Sequence, residues 1–230
     1  MELSGARVLV CGATGVLGGL MTDALVQRGA RVVPAGRRAS RLAELEELCG
    51  NAAVSFDAVD VDSCRHTVAA AVETLGGLDG LVVAFGVAAF GPAADADAAV
   101  TEELFAVNTL APMSLVRAAA EHLGDGGFLA VFSAILADLP TAGMAEYSAS
   151  KSALASWLAV VRRELRPRTV IDVRPPHLDT GLDSRALAGT PPKLPEPLPA
   201  SQVVDAVIEA IETDAREVVW DGERKGLVVR

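Results

Sequence analysis

The chain has 230 residues, of which 51% are hydrophobic, and a formal net charge of −10. This length suits one α/β domain better than two small ones, because a chain of this size can bury one large core. The pI of about 4.8 argues against nucleic-acid and anionic-membrane partners, since the averaged field repels polyanions.

The start of the chain and its apolar runs predict a soluble, cytoplasmic protein. The first residues, MELSGARV, contain no basic region followed by a long apolar segment, and no apolar run approaches the length of a membrane span. The three cysteines and three histidines are scattered without metal-ligand spacing. We therefore expect reduced thiols and no metal site.

Three glycines at three-residue steps follow the first short apolar run. Residues 7–20 read RVLVCGATGVLGGL, in which Gly12, Gly15 and Gly18 precede a helical pattern. This order predicts a strand, a tight turn and a helix. Glycine permits positive φ and close backbone approach, while a helix start offers unpaired N–H groups and a positive dipole end. The turn is suited to a pyrophosphate; the alternative is that the glycines only shape a βα connection.

The second predicted strand, Arg31–Ala35, ends at a basic segment. Pro34 predicts a local irregularity there, since proline cannot donate a ladder hydrogen bond. Arg37 and Arg38 follow the strand. In a dinucleotide-binding unit, a carboxylate near this point would bind the adenosine ribose, whereas arginine would pair with a 2′-phosphate. No carboxylate stands here, so the residues favour NADP over NAD; the alternative is a solvated basic helix start.

Strands and helices alternate along the rest of the chain. The further predicted strands are Ala52–Val59, Leu78–Phe85, Phe128–Phe132, Thr169–Val173 and Glu217–Trp220. The predicted helices are Val16–Gln27, His66–Leu75 capped by Ser63, Glu102–Leu123 interrupted at Pro112, Glu146–Arg166, and Gln202–Glu212 capped by Ser201. Residues 222–230 are expected to form a tail. This alternation predicts a doubly wound, Rossmann-type parallel sheet of about seven strands with helices on both faces.

Residues just past the predicted strand ends are candidates for the ligand site. In doubly wound sheets, ligands lie beyond the carboxyl ends of the strands, near the switch in strand order. The residues in such positions are Gly12 to Gly18, Arg37, Asp60, Gly86 and Ser133. We expect them to face one crevice.

The most specific chemical pattern is YSASK, in which Tyr147 and Lys151 are four residues apart. This spacing places both side chains on one face of a helix. An ammonium near a phenol stabilises the phenolate and lowers its pKa toward neutrality, which makes the tyrosine a usable acid and base. Taken alone, the spacing is more typical of a packed tyrosine beside a surface lysine. The surrounding motifs therefore have to decide between the two interpretations.

These motifs occur in an order, and at distances, that resemble the short-chain dehydrogenase/reductase family over essentially the whole chain. The motifs are the glycine turn, Arg37, Asp60–Val61, Asn108, Ser133 and the Tyr147/Lys151 pair. The resemblance implies that Tyr147 exchanges a proton with the substrate oxygen. Lys151 would hold the nicotinamide ribose hydroxyls and lower the tyrosine pKa. Ser133 would hydrogen-bond the carbonyl, and Asn108 would hold a water that continues the proton relay.

The resemblance also implies a set of residues around NADP(H). Asp60 and Val61 would flank the adenine. Leu178 and Thr180, in the segment VRPPHLDTGL, would lie by the nicotinamide carboxamide and the phosphates. The full predicted set is Gly12, Thr14, Gly15, Val16, Leu17, Gly18, Arg37, Arg38, Asp60, Val61, Ala84, Phe85, Gly86, Lys151, Pro175, Leu178 and Thr180.

The chain departs from the family's pattern in its cofactor motifs. Val16 stands where many members have their middle glycine. The usual NNAG segment after the fourth strand is replaced by residues 83–86, VAFG, so Phe85 would crowd the adenosine ribose. Pro175 and Pro176 replace a Pro-Gly pair, which makes a stiffer turn.

The catalytic serine is also displaced. The family places its serine thirteen residues before the tyrosine; that position is Ala134 here, whereas Ser133 is fourteen before. A one-residue slip turns a strand side chain to the other face, although a loop after the strand could restore it. Either Ser133 serves the carbonyl, or Tyr147 polarises it alone.

The last third of the chain is expected to shape the substrate pocket. Residues 181–200 form a predicted proline-rich loop in the single domain 1–230, which we interpret as a stiff lid; the alternative is a plain surface connection. Apolar residues near the site suggest a hydrophobic carbonyl or alcohol as substrate. The predicted function is NADPH-dependent reduction of a ketone or aldehyde, or the reverse, in a homodimer or homotetramer. The rival hypotheses are non-redox chemistry in the same family, such as epimerisation, dehydration or cyclisation, and a non-catalytic NADP-binding sensor or scaffold.

Overall fold

Eight strands form one sheet in the order β3-β2-β1-β4-β5-β6-β7-β8 in the computed structural model, which describes residues 1–230 except the side chain of Val61. The strands are β1 (Arg7–Cys11), β2 (Arg31–Gly36), β3 (Val54–Ser55), β4 (Leu78–Val83), β5 (Leu123–Phe132), β6 (Thr169–Arg174), β7 (Glu217–Asp221) and β8 (Gly226–Val229). β1 to β7 pair in parallel. The predicted doubly wound parallel sheet is confirmed.

The eighth strand corrects the expectation of a C-terminal tail. β8 pairs antiparallel with β7, with Val218 opposite Val229 and Asp221 opposite Gly226. Residues 226–229 gain backbone partners only because β7 presents a free edge to them. A tertiary pairing of this kind leaves no local sequence signal.

Helices cover both faces of the sheet. They are α1 (Val16–Gln27), α2 (Ala39–Cys49), α3 (Val61–Leu75), α4 (Ala98–Phe105), α5 (Ala111–Ala120), α6 (Ala145–Glu164) and α7 (Ala200–Glu212). Alternate side chains of β1 enter two cores: Val8 and Val10 pack with α1 and α7, and Leu9 and Cys11 with α3, α5 and α6. In the part of the chain that is described, no helix has both the length and the apolar content needed to cross a lipid bilayer.

The β2 strand is regular through Pro34, so the predicted irregularity is absent from the described register. Pro34 stands opposite Val10 in an unbroken ladder. The carbonyl of Ala35 accepts from the Gly12 amide at 2.9 Å, so the neighbouring Pro34 nitrogen faces the β3 side. Pairing with β3 involves only Ala35 and Gly36. The missing N–H of the proline therefore interrupts no hydrogen bond.

The connection from β3 to α3 differs from the prediction at both ends. β3 pairs over two residues only, because the chain turns away where the Val59 amide donates to the Asp57 carboxylate at 3.1 Å. α3 starts at Val61, and Asp60 caps it by accepting from the Asp62 amide at 2.9 Å. Ser63 is inside the helix, so its predicted capping role was wrong.

The long predicted helix at 102–123 is two helices with a π-helical turn between them. α4 begins earlier, at Ala98, because the Asp97 carboxylate accepts from the Ala99 amide at 2.7 Å. The π-helical turn spans Ala106–Leu110, and Pro112 follows in the first turn of α5. Proline has no N–H with which to complete an α-helical hydrogen bond, which accounts for the interruption.

α7 is capped from a distance. Asp179 Oδ1 accepts from the Ala200 amide at 2.8 Å, so the helix starts at Ala200 and the predicted cap, Ser201, is already helical. Asp179 belongs to the segment that follows β6. The start of α7 is thereby tied to the root of the predicted lid.

Candidate active site

The glycine turn after β1 is shaped by steric contacts of the backbone. Gly12 has φ +89°, and a Cβ on it would lie 2.6 Å from the Ala84 carbonyl oxygen. A Cβ on Gly18 would lie 2.1 Å from the Gly12 carbonyl oxygen. Val16 opens α1 and is 42% exposed, so its side chain is not packed into the turn. The first turn of α1 offers backbone N–H groups without intrahelical partners, which suits an anion.

The end of β2 lies against this turn and carries two exposed arginines. A Cβ on Gly36 would lie 2.6 Å from Thr14 Oγ1, so the turn and the strand end are in close contact. Arg37 and Arg38 follow directly. Neither guanidinium is in an ion pair with any residue that the structure describes. Two free guanidinium groups beside an anion-binding turn fit a phosphate ester.

The residues predicted beside the adenine, Asp60 and Val61, lie at the start of α3. Asp60 uses its carboxylate to cap α3, and the side chain of Val61 lies outside the described residues. The Phe56 amide donates to the Gly36 carbonyl at 3.0 Å, which holds the backbone before Asp57 at the end of β2. The contact of Asp60 and Val61 with an adenine stays a prediction.

The loop after β4 connects the glycine turn to α6, the helix that carries Tyr147 and Lys151. The Ala84 amide donates to the Cys11 carbonyl at 2.9 Å. Phe85 is half-buried against Phe56, with ring centroids 5.2 Å apart. A Cβ on Gly86 would lie 3.3 Å from Lys151 Nζ, so this glycine brings the backbone close to the ammonium.

Tyr147 and Lys151 are both buried on one face of α6. Tyr147 is 7% exposed, and burial raises its pKa to about 12. The predicted fall of this pKa toward neutrality is therefore wrong for the protein alone, because desolvation of the phenolate dominates. Lys151 is 3% exposed and donates from Nζ to the Phe132 carbonyl at 3.1 Å. Burial lowers the pKa of Lys151 to about 8, and the negative charge of Asp172 opposes this fall.

Asn108 lies in the π-helical turn and fixes the loop to α6. Its Oδ1 accepts from the Val87 amide at 3.0 Å, and its Nδ2 donates to the Val87 carbonyl at 2.9 Å and to Ser150 Oγ at 3.1 Å. Ser150 Oγ donates in turn to the Tyr147 carbonyl at 2.8 Å. The side chain is therefore a structural link as well as a candidate for the proton relay.

Ser133 lies on the α6 side of the sheet, and its hydroxyl donates a hydrogen bond to another residue of the protein. Ser133 Oγ donates to Asp172 Oδ1 at 2.5 Å, and the side chain is 5% exposed. The next residue, Ala134, has an extended backbone and no polar group. A hydrogen bond from Ser133 to a substrate would require the hydroxyl to leave Asp172, so that role stays a prediction.

Asp172 lies next to Ser133 and was not among the residues predicted from the sequence. The available signal was one acidic residue in the apolar strand segment TVIDVR. It is 1% exposed, which is unusual for a carboxylate. Its partner Ser133 is 39 residues away in the chain, so the sequence alone did not connect the two.

The predicted lid covers Tyr147. The Leu187 amide donates to the Ala88 carbonyl at 2.7 Å, and the Phe90 amide donates to the Ala188 carbonyl at 2.9 Å. The apolar cluster around Tyr147 comprises Ala88, Phe90, Leu104 and Met144, with Leu182, Ala186, Leu187 and Leu194 from the lid. Apolar side chains from the loop after β4, from α4 and from the lid thus pack around Tyr147.

The predicted cofactor residues assemble at one edge of the sheet. They are Gly12, Thr14, Gly15, Val16, Leu17 and Gly18 after β1, Arg37 and Arg38 after β2, Ala84, Phe85 and Gly86 after β4, and Pro175, Leu178 and Thr180 after β6. The buried Tyr147/Lys151 pair lies at the same edge. The molecule is therefore a Rossmann-type α/β protein with a buried tyrosine and lysine at the edge that carries its glycine turn.

Comparisons with known proteins agree with this class. A family model described as short chain dehydrogenase matches residues 6–189. The cyclic-di-GMP-binding biofilm dispersal mediator protein of Escherichia coli (strain K12) is 35% identical over 184 residues, which cover 77% of this chain and 75% of that protein. An uncharacterized oxidoreductase of Methylorubrum extorquens is 35% identical over 179 residues, which cover 74% of this chain and 71% of that protein.

A solved structure is similar over nearly the whole chain. The short chain dehydrogenase of Burkholderia cenocepacia J2315, crystallised in complex with NADP, has a TM-score of 0.80 and 31% identity over 92% of each chain. The protein therefore belongs to the short-chain dehydrogenase/reductase family of oxidoreductases.

Proposed function

We propose that this protein is an NADP(H)-dependent oxidoreductase that reduces an apolar ketone or aldehyde to an alcohol, or runs the reverse oxidation. One observation carries the proposal: Tyr147 and Lys151 are both buried, four residues apart in α6, at the edge of the sheet that carries the glycine turn. Burial of two ionisable groups costs free energy, so their joint presence in a cleft favours a chemical role.

The residues at the cleft fit a dinucleotide. The close backbone contacts at Gly12 and Gly18 leave the amide groups of α1 free for a pyrophosphate. Arg37 and Arg38 are exposed beside that turn and would pair with a 2′-phosphate. The NADP in the similar Burkholderia structure supports the same choice of cofactor. When bound, NADPH supplies the hydride.

In the reduction, Tyr147 would give its hydroxyl proton to the substrate oxygen. Its raised pKa keeps the phenol protonated at neutral pH, so it is available as a proton donor. The Lys151 ammonium would stabilise the phenolate that remains and hold ribose hydroxyls of the cofactor. Asn108 would anchor the relay that returns a proton to Tyr147. The lid residues Leu187 and Leu194 would exclude water and select an apolar substrate.

A second candidate is a non-catalytic NADP-binding sensor. The observation in its favour is that the usual serine position holds Ala134, while the hydroxyl of Ser133 is donated to Asp172. The similar E. coli protein is named for binding a cyclic dinucleotide. A sensor needs the cofactor turn but no substrate-polarising serine.

Titration of the purified protein with NADPH and NADH, followed by carbonyl-dependent loss of NADPH absorbance, tests the proposal. We expect tighter binding of NADPH than of NADH and consumption of NADPH with at least one apolar ketone or aldehyde. Binding without consumption across a broad carbonyl panel would favour the sensor. No binding of either nucleotide would contradict both candidates.

A further inference from the structure

Asp172 is a buried carboxylate in a strand that is otherwise apolar. It lies between Ile171 and Val173 and is 1% exposed. Because side chains alternate along a strand, Asp172 points to the same face as Val170, which packs with residues of α6. A buried carboxylate destabilises a fold unless it is paired and hydrogen-bonded.

Both oxygens of this carboxylate have partners. Ser133 Oγ donates to Oδ1 at 2.5 Å, and Arg174 Nη1 donates to Oδ2 at 2.9 Å. Arg174 also forms ion pairs with Glu217 at 2.8 Å and with Asp138 at 3.0 Å. Burial raises the pKa of Asp172, whereas the hydroxyl and the guanidinium oppose that rise. The hydroxyl and the guanidinium therefore stabilise the ionised form of this carboxylate, which lies on the α6 face of the sheet.

The negative charge of Asp172 favours the protonated form of Lys151. Its Nζ donates to the Phe132 carbonyl, and the next residue is Ser133 itself, so the ammonium and the carboxylate are bound to adjacent residues of β5 and the loop after it. Among the described residues, no carboxylate lies within ion-pair distance of Nζ. The charge of Asp172 opposes the effect of burial, which lowers the pKa of Lys151 to about 8.

We propose that Asp172 is a positioning residue that keeps the Lys151 ammonium charged near the Tyr147 phenol, and that the Ser133 hydroxyl serves this carboxylate rather than the substrate oxygen. The inference rests on the proposed function, in which Lys151 acts on Tyr147 and the cofactor ribose. Asp172, Ser133 and Arg174 act through Lys151. The charged groups that act on Asp172 and Arg174 are Asp138, Arg162 and Glu217, and Tyr147 is the titratable group four residues before Lys151 in α6.

The pH dependence of kcat/KM, and of the NADPH Kd, tests this inference. In the wild type, both should worsen as pH rises through the pKa of Lys151, about 8. We call this loss at high pH the alkaline limb of the pH profile. Asp172→Asn removes the negative charge that favours the Lys151 ammonium, so the alkaline limb should move to lower pH by about one unit or more. Activity at pH 6 should be retained, while activity near the original limb should fall about tenfold. A limb that stays in place would overturn the proposal.

Ser133→Ala separates the two roles of the hydroxyl. If the hydroxyl serves Asp172, the limb should shift in the same direction by a smaller amount, with activity at low pH within about threefold of wild type. If it binds the substrate oxygen, activity should fall about 100-fold or more at every pH and the limb should not move. The second result would overturn the assignment of Ser133.

Asp79→Asn is a matched control. Asp79 is also a strand aspartate paired with an arginine, Arg7 at 2.8 Å. It lies near the amino-terminal end of β4, away from the carboxyl ends of the strands where Lys151 is placed. Its removal should leave the alkaline limb unchanged.

If Asp172→Asn does not fold, Ser133→Ala still tests the link between Asp172 and Lys151, since it removes only one hydrogen bond. If the wild type binds NADPH but reduces no carbonyl, the proposed function fails, while the pH dependence of the Kd still supports or overturns the role of Asp172.

Discussion

The proposed cofactor half and the proposed substrate half of the cleft are fixed by different parts of the chain. The cofactor half is backbone: Gly12 adopts φ +89°, and Gly18 approaches it too closely for any side chain. The proposed substrate half consists of side chains: Tyr147 and Lys151 are both buried, and apolar loop residues pack around Tyr147. A backbone turn is specified by a few adjacent residues, whereas a buried side chain takes its properties from neighbours that are distant in sequence.

The largest effect should come from a methyl group placed in the glycine turn. Gly18→Ala puts a Cβ 2.1 Å from the Gly12 carbonyl oxygen, so the turn or α1 must move. We expect loss of measurable NADPH binding and a fall in the free energy of unfolding of about 1–3 kcal/mol. Fluorescence titration and urea unfolding measure both quantities.

Gly19→Ala is the control for this change. A Cβ at Gly19 would make an ordinary contact, 3.4 Å from the Ala13 carbonyl oxygen. Its NADPH affinity and stability should stay close to wild type. Equal behaviour of the Gly18 and Gly19 variants would contradict the steric account of the turn.

The next effect concerns the choice of cofactor. Arg37→Ala combined with Arg38→Ala removes the exposed guanidinium groups after β2. The NADPH Kd should rise about 10–100-fold, because charge-assisted hydrogen bonds to the 2′-phosphate are lost. The NADH Kd should stay the same. Arg163→Ala, at an exposed position near the end of α6, is the control and should change neither Kd. An equal rise of the NADPH Kd and the NADH Kd in the double variant would refute a contact with the 2′-phosphate.

A smaller effect is expected at the lid. Gly189 has φ +73°, and a Cβ there would lie 1.8 Å from the Phe90 carbonyl oxygen. Gly189→Ala should undock residues 186–190 from Ala88 and Phe90, which raises KM for an apolar substrate several-fold and costs about 1–2 kcal/mol of stability. Steady-state kinetics and thermal unfolding report these changes. Gly222→Ala, where a Cβ meets open space, is the control. An unchanged KM would show that the lid does not border the substrate.

The smallest effect concerns the cap of α3. Asp60→Ala removes the acceptor of the Asp62 amide and should lower the free energy of unfolding by about 1 kcal/mol. Asp60→Asn, which retains an acceptor oxygen, should lose much less. The NADPH Kd of both variants decides whether Asp60 also flanks the adenine, since an adenine contact would raise Kd and a pure cap would not.

The prediction of the fold from the sequence succeeded where local pattern decides the structure. The apolar run before Gly12 and the alternation of strands and helices were sufficient for the parallel sheet. The C-terminal strand at 226–229 was missed, because it exists only through pairing with β7. The start of α7 was misplaced, because Asp179 reaches it from another segment.

The candidate site shows the same division. The Tyr147/Lys151 spacing could be read from five adjacent residues. The pKa of Tyr147 could not be read in this way. It is raised by burial in a cluster that includes Phe90 and Leu104, which are far from Tyr147 in sequence. The use of Ser133 likewise depends on Asp172, which is 39 residues away.

The most direct test of the account compares wild type and Tyr147→Phe in the carbonyl-dependent oxidation of NADPH. Phenylalanine retains the apolar packing of the ring and removes only the hydroxyl. We expect the NADPH Kd to stay within about twofold, while the turnover rate falls about 10²–10⁴-fold, the usual contribution of general acid catalysis. Turnover by Tyr147→Phe at the wild-type rate would show that this phenol does not transfer the proton.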